Sequence, residues 1–248
     1  LKIEYAWDMD MQISHEAIYQ YIYVLPRGEL KQLLIKGLRQ ERKHRRAQKR
    51  GDTAETRGKI ANMLSIEERP AEVAERSVPG HWEGDLILGK YKRSALGTLV
   101  ERTTRYTILV PLGEHKDAAS VREAYAEAFK SLPAELKKSL TYDQGKEMSE
   151  HEQFTIDTGI QVYFAHPGSP WERGTNENTN GLIRQYFPKG TDFTQVSKEE
   201  ILEVQRKLND RPRRALGYLK PDEVINQLVA LKTWNQELLL DMVFLLQI

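Results

Sequence analysis

The chain has 248 residues, more than one typical domain of about 100 to 200, and with 40% hydrophobic and 29% charged residues it can bury a core. It lacks the run of about 20 apolar residues that a membrane span requires, and with no cysteine it excludes a disulfide scaffold and every cysteine-ligated zinc or iron-sulfur site. Its net charge of +1 hides an asymmetry: from Arg27 to Ile60 there are twelve Lys and Arg against four Asp and Glu, a balance of +8, so the rest sums to −7.

The opening Leu1-Lys2-Ile3-Glu4 has no apolar run, and no secretion signal is expected. Ser14 is placed to cap a helix from His15 to about Tyr23, with Ile13 and Ile18 in the positions of a hydrophobic staple. Leu25-Pro26-Arg27-Gly28 breaks that helix. Leu30, Leu33, Leu34 and Leu38 then recur at helical spacing and lead into the basic stretch Arg39 to Arg46. Two short helices with a basic tail suit either part of a helix-turn-helix or a helical linker. The tail itself is either an arm that neutralises phosphates or a solvated helix face. Residues 51–79 are polar, carry Pro70 and Pro79, and read as a linker wrapping onto the next domain.

Three strands are expected next, at His81 to Gly89, Ser94 to Glu101 and Arg105 to Leu112, with Thr103-Thr104 in a tight turn. Ala118, Val121, Tyr125, Ala128, Phe129 and Leu132 follow at helical spacing, ended by Pro133. Ser139 to Asp143 reads as a fourth strand and Ile160 to Ala165 as a fifth, separated by a short helix with a capping-box pattern at Ser149 and Glu152. Helix resumes after Pro170. A second capping box, at Ser197 and Glu200, opens a helix through Ile201, Val204 and Leu208 that stops at Arg211-Pro212, and a last helix follows Pro221. Hairpin-linked strands followed by alternating helices and strands describe an α/β domain, a mixed five-stranded sheet flanked by helices. Trp82 and Trp171 are expected in its core rather than as platforms for nucleobases. The apolar stretch from Glu237 to Ile248 is too short for a bilayer and is expected to dock on the protein or a partner.

Two carboxylates are oddly placed. Asp85 lies inside an apolar strand and Asp143 ends another, and a buried Asp is tolerated only when paired or bound to a cation. Either one alone could be paired with an arginine or cap a turn. Glu177 is a third, on a helix whose geometry puts Glu177, Asn180 or Gly181, and Arg184 along one face. Three carboxylates converging at about 5 Å repel by roughly 3 kcal/mol per pair at an effective dielectric near 20, so only cations justify the arrangement. Oxygen ligands of this kind suit Mg²⁺ or Mn²⁺, and two such ions serve phosphodiester chemistry without a serine, cysteine or histidine nucleophile.

Thirty-three residues separate Asp143 from Glu177 and fifty-seven separate Asp85 from Asp143, a spacing that resembles the Asp-Asp-Glu triad of transposases and retroviral integrases on a ribonuclease H-like fold. Gly80-His81-Trp82-Glu83-Gly84-Asp85-Leu86-Ile87, Leu140-Thr141-Tyr142-Asp143-Gln144-Gly145-Lys146-Glu147 and Ser169-Pro170-Trp171-Glu172-Arg173-Gly174-Thr175-Asn176-Glu177-Asn178-Thr179-Asn180-Gly181-Leu182-Ile183-Arg184 are similar to motifs of the insertion-sequence-thirty family of bacterial transposases. The resemblance extends over roughly residues 10 to 225 and includes Ile13-Ser14-His15-Glu16, Gln185-Tyr186-Phe187-Pro188-Lys189-Gly190 and Asn209-Asp210-Arg211-Pro212-Arg213.

It implies a ribonuclease H-like core over residues 80–215, preceded by a small helical DNA-binding region at 1–50 and the 51–79 linker, and followed by a helical tail at 216–248. It also implies that Asp85, Asp143 and Glu177 hold a two-metal site of Mg²⁺ or Mn²⁺, and that the chain cleaves and joins DNA at insertion-sequence ends. That reading requires the three carboxylates to share one pocket with no arginine or lysine filling the space between them. Arg42, Lys43, Arg45 and Arg46 are expected on DNA, and Arg184 and Lys189 either contact phosphates or are solvated. Asn178 and Asn180 either orient Glu177, touch DNA or cap the helix, and Glu147 either supports the ligands or lies at the surface. The implied partners are double-stranded DNA, as element ends and target, and further copies of the chain; the implied location is the bacterial cytoplasm, at the nucleoid. The start at Leu1 and the short front suggest a truncated reading frame, and with it the alternative of a DNA-binding fragment that regulates or inhibits the full-length protein without transposing. The tail after Leu228 departs from the family pattern. A general ribonuclease H-like nuclease fits the motif around Glu177 less well.

If the basic arm neutralises six or more phosphates, affinity for duplex DNA falls about a thousandfold or more between 50 and 200 mM salt. A salt titration by fluorescence anisotropy checks this, and a flat response removes the arm from the interface.

Overall fold

The computed structural model describes residue 7, residues 13–38 and residues 60–230. The chain divides into two units, Leu1–Asp52 and Thr53–Ile248. In the first, α1 (His15–Val24) starts where the sequence places it: the Ser14 hydroxyl accepts a hydrogen bond from the Ala17 amide at 3.0 Å. Ile13 and Ile18 remain 46% and 40% exposed, so the expected staple covers little apolar surface. The second helix, α2 (Glu29–Gly37), packs against α1. The Lys31 ammonium joins the two by donating to the carbonyls of Tyr23 and Leu25 at 2.9 and 2.7 Å. Arg42, Lys43, Arg45 and Arg46 lie outside the described residues.

The second unit is built on five strands: β1 (His81–Leu88), β2 (Ala95–Glu101), β3 (Thr107–Gly113), β4 (Ser139–Tyr142) and β5 (Gln161–Phe164). They form one sheet in the order β3-β2-β1-β4-β5. The meander β1-β2-β3 is antiparallel, whereas β4 and β5 add parallel to β1 on its other side. This is the mixed five-stranded sheet expected of a ribonuclease H-like domain. Being central, β1 and β2 are covered on both faces, and their residues alternate between two cores. Trp82 and Leu99 face one core, with Tyr125 and Phe129 of α4 (Ala118–Lys130) and Phe154 of α5 (His151–Thr158). Ile87 and Leu96 face the other, with Leu182 and Ile183 of α6 (Gly174–Ile183) and Ile201, Val204 and Leu208 of α7 (Lys198–Asn209).

Residues 60–79 run from the β5 edge, where Ser65 bridges Phe164, back to the start of β1, where Glu72 meets His81. Ile60 is buried, the Phe164 amide donates to the Leu64 carbonyl at 2.9 Å, and the short helix α3 (Ala71–Glu75) buries Val73. The capping box of Ser197 and Glu200 forms as expected, with all three apolar positions of α7 buried. The pattern at Ser149 and Glu152 does not cap α5. A 3-10 turn at Lys146–Met148 draws Ser149 into helical geometry, the cap position falls to Glu150, and Glu152 instead accepts from Asn62 at 3.1 Å. Trp82 is fully buried, donating its indole N–H to the Leu136 carbonyl at 2.7 Å. Trp171 is 72% exposed, contrary to expectation, because its 3-10 turn Pro170–Arg173 runs over the surface ahead of α6. Residues 221–230 are helical and bury Ile225. Among the described residues no helix is long and apolar enough to cross a membrane.

One glycine is required by close packing. A Cβ on Gly84 would lie 2.8 Å from the Tyr142 ring and 3.1 Å from a Leu140 methyl, both fully buried in the core under the sheet. Gly84→Ala is therefore expected to lower unfolding free energy by about 1 to 3 kcal/mol, read from the urea midpoint by circular dichroism; an unchanged midpoint would show that the ring has room to move.

Candidate active site

Parallel pairing of β1 with β4 brings two of the three carboxylates together. The last paired residues are Glu83 with Thr141. Two residues further along the chain in each case come Asp85, within β1, and Asp143, just past the end of β4, which the alternation places on the same side, one strand spacing of about 4.8 Å apart. Asp85 accepts from its neighbouring Leu86 amide at 2.9 Å, and Asp143 from the Gly145 amide at 2.9 Å. The Asp85 carbonyl is held by the hydroxyls of Tyr125 and Thr98 at 2.9 and 3.2 Å. Burial pushes the Asp85 carboxyl above the usual carboxylate range; the Arg173 guanidinium pulls it down and the Asp143 charge pushes it further up.

The helix that carries Glu177 is fixed to the same strand. Glu83, with no exposed surface, accepts the Asn176 backbone amide at 2.8 Å on one carboxylate oxygen and the Arg102 guanidinium on the other. The Asn176 side chain returns a bond to the Glu83 carbonyl at 2.9 Å. One turn along α6, the Asn180 amide donates to Asp85 at 2.8 Å. Glu83 and Asp85 are two residues apart on a strand, about 6.7 Å, and Asn176 and Asn180 are four apart on a helix, about 6 Å. The near match lets α6 lie along β1 and meet it twice.

Between the two aspartates stands Arg173. Its guanidinium donates to Asp143 at 3.1 Å and to the Gly84 carbonyl at 2.9 Å, and lies 3.8 Å from Asp85. Its side chain is only 14% exposed. The sequence-based requirement that no basic side chain fill this space is not met. The physical reason is the repulsion of roughly 3 kcal/mol between two carboxylates at about 5 Å, which some positive charge must offset.

Glu177 does not join the aspartates. It is exposed, in the first turn of α6 where the helix dipole favours a negative charge, and has no hydrogen-bond or ion-pair partner among the described residues. Among the described residues no three His, Cys, Asp or Glu side chains are close enough to hold a metal ion together. The donor chemistry nevertheless fits a hard cation in part. Asp85 and Asp143 face one positive charge already, and the buried Asn180 Oδ1 beside them has no hydrogen-bond partner.

The remaining expected residues take varied roles. Asn180 orients Asp85, not Glu177. Asn178 is exposed. The Arg184 guanidinium donates to the carbonyls of Leu88 at 2.7 Å and Pro188 at 3.2 Å, which ties the end of α6 to the end of β1 rather than presenting a free cation. Lys189 is exposed. Glu147 is half-buried, its carboxylate so close to Gly145 that a Cβ there would meet it at 2.4 Å. Sequence reasoning missed Glu83, Asn176 and Arg173. The available signals were position: Glu83 shares a strand face with Asp85, Asn176 adjoins Glu177, and Arg173 precedes Glu177 by four residues.

The integrase core domain family matches residues 75–170. Over 230 residues, 93% of this chain and 67% of the relative, the chain is 48% identical to the transposase for insertion sequence element IS1086 of Cupriavidus metallidurans. It is 47% identical to the transposase InsI for insertion sequence element IS30A of Escherichia coli K12, across 89% of this chain and 57% of that one. The chain belongs to the IS30 family of transposases. Another relative, the transposase for insertion sequence element IS4351 of Bacteroides fragilis, is 39% identical across 88% of this chain and 65% of its own length. The IS30-family chain thus spans 57 to 67% of the length of these three relatives. Among solved structures, a simian T-cell lymphotropic virus intasome in complex with the PP2A regulatory subunit B56 gamma is similar with a TM-score of 0.44 and 17% identity, over 53% of this chain and 49% of that one. An integrase core implies dependence on a divalent metal.

The buried Glu83–Arg102 pair gives a direct test of how α6 is held. Glu83→Gln keeps the shape and removes the hydrogen-bonded carboxylate from the buried Arg102, leaving only the Glu101 charge to offset it, so unfolding free energy is expected to fall by up to about 3 to 5 kcal/mol. Adding Arg102→Met is expected to restore most of it. Denaturant unfolding of the two variants checks this, and equal stability of Glu83→Gln and wild type would remove the pair from the support of the site.

Proposed function

We propose that this IS30-family chain carries the catalytic core of a transposase that cleaves DNA strands at insertion-sequence ends and transfers them to target DNA. The observation that supports this best is the approach of Asp85, within β1, to Asp143, just after the parallel strand β4, with both held on the Arg173 guanidinium and the Glu177 helix fixed to β1, in a chain 48% identical to a transposase. Asp85 and Asp143 are the proposed ligands, joined by Glu177 only if Arg173 leaves the space between the aspartates and Glu177 turns in from the first turn of α6, and Mg²⁺ or Mn²⁺ are the proposed ions. When bound, such ions supply Lewis-acid stabilisation of charge growing on phosphoryl oxygens.

The chain's own residues prepare for that role. The Leu86 and Gly145 amides and the Asn180 side chain each hold one aspartate oxygen, which fixes both carboxylates before any ligand arrives. Glu83 and Asn176 set the position of α6, and hence of Glu177 at its first turn. Trp82 and Tyr125 exclude water beneath β1. The substrate is double-stranded DNA, as element ends and as target. Exposed Lys189 and the basic residues Arg42, Lys43, Arg45 and Arg46 are the proposed phosphate contacts, with 1–50 as the DNA-binding region and 80–215 as the core. Two ends must be held together, so the working form is a homo-oligomer on DNA, located at the nucleoid in the cytoplasm.

The test is cleavage and joining of a labelled duplex carrying an element end, with Mn²⁺ or EDTA. Asp143→Asn and Glu177→Gln are each expected to lower the rate at least about a thousandfold, the several kcal/mol that metal stabilisation contributes. DNA binding with no metal-dependent cutting by wild type would instead favour a DNA-binding fragment.

A further inference from the structure

We infer that Arg173 is a built-in substitute for the divalent ion: its guanidinium neutralises Asp85 and Asp143 while no metal is bound and withdraws when one binds. The inference rests on the metal reading of the proposed site and adds a residue that this reading does not include. Three observations carry it. The guanidinium contacts both aspartates, at 3.1 Å from Asp143 and 3.8 Å from Asp85, so it stands where a shared cation would. It is largely buried, whereas Glu177 is exposed and unpaired among the described residues, so the site has its internal cation and lacks its third carboxylate at the same time. Asn180, whose amide donates to Asp85, presents a buried oxygen with no hydrogen-bond partner, so Arg173 does not satisfy it.

Arg173 is also placed to move. It ends the surface 3-10 turn Pro170–Arg173 and occupies the residue before the first turn of α6, with backbone that is not helical. The turn is linked to the preceding loop by Glu172, which accepts from the His166 amide at 2.8 Å and meets its imidazole at 2.9 Å. The start of α6 is held separately, by Glu83 on Asn176 and by Arg105 on the Thr175 hydroxyl at 2.6 Å. Arg173 can therefore leave the aspartates without undocking the helix. Lysine would not substitute, because one ammonium cannot present the planar fork that spans a carbonyl and two carboxylates.

The experiment is Mn²⁺ binding by the full chain, read as free Mn²⁺ by electron paramagnetic resonance, for wild type, Arg173→Ala, Asp143→Asn and the double variant. A melting curve of each is taken in EDTA and in Mn²⁺. Removing a competing positive charge within about 5 Å is expected to tighten Mn²⁺ binding by Arg173→Ala roughly tenfold or more, whereas Asp143→Asn binds more weakly than wild type. In EDTA, Arg173→Ala is expected to melt below wild type, and the difference is expected to shrink in Mn²⁺ and in the Asp143→Asn background. A merely structural salt bridge would also couple Arg173 to Asp143, but its effect would not depend on the metal. Equal or weaker Mn²⁺ binding by a folded Arg173→Ala, with wild type binding normally, would overturn the inference and leave the proposed function standing. Absence of Mn²⁺ binding by every protein would overturn both.

Discussion

A carboxylate without access to solvent, Glu83, sits where β1 meets the start of α6. Burying such a charge costs several kcal/mol unless partners on every side compensate, and breaking one partnership costs nearly as much. Glu83 is met by Arg102 from the turn after β2 and by the Asn176 amide from the helix. Few positions of α6 satisfy both partners, so the demand for compensation places the helix. The placement of Asn180 on Asp85 follows from it, and so does the position of Glu177, exposed in the first turn of the same helix.

The second constraint is charge density. Parallel pairing of β1 with β4 delivers Asp143, the first residue after β4, to the side of Asp85. A sheet that forces two like charges together must also supply an opposite charge, and the turn before α6 supplies it in Arg173. Stability of the folded chain and readiness for a cation thus pull on the same two oxygen pairs, and a protein that did not resolve this conflict would be strained exactly where it has to act.

Much of this was legible in the sequence. The five strands, the helices α4 and α7 and the Ser197 capping box carry strong local signals, namely period-two runs, helical spacing and a cap that nothing competes with. Asp85 and Asp143 stood out because carboxylates in apolar strands are costly. What stayed hidden depended on pairing across distance. Glu83 looks like any acid in a strand until α6 is seen above it, and Arg173 looks like a surface base until β1 and β4 are adjacent. The Ser149 pattern misled because a neighbouring 3-10 turn claimed the residue, and Trp171 because size alone suggests burial while its turn lies at the surface.

The double meeting of α6 with β1 also separates rigid intervals from free ones. Two residues of strand are matched to four of helix, so gaining or losing a residue between Glu83 and Asp85, or between Asn176 and Asn180, would put the two partners out of step. The turns between Asp143 and Arg173 carry no such match. Only the turns of that interval outside α5 and β5 are free to change length, so the short intervals inside Gly80 to Ile87 and Gly174 to Gly181 are the sterner signature of this site than the thirty-three residues that lie between Asp143 and Glu177.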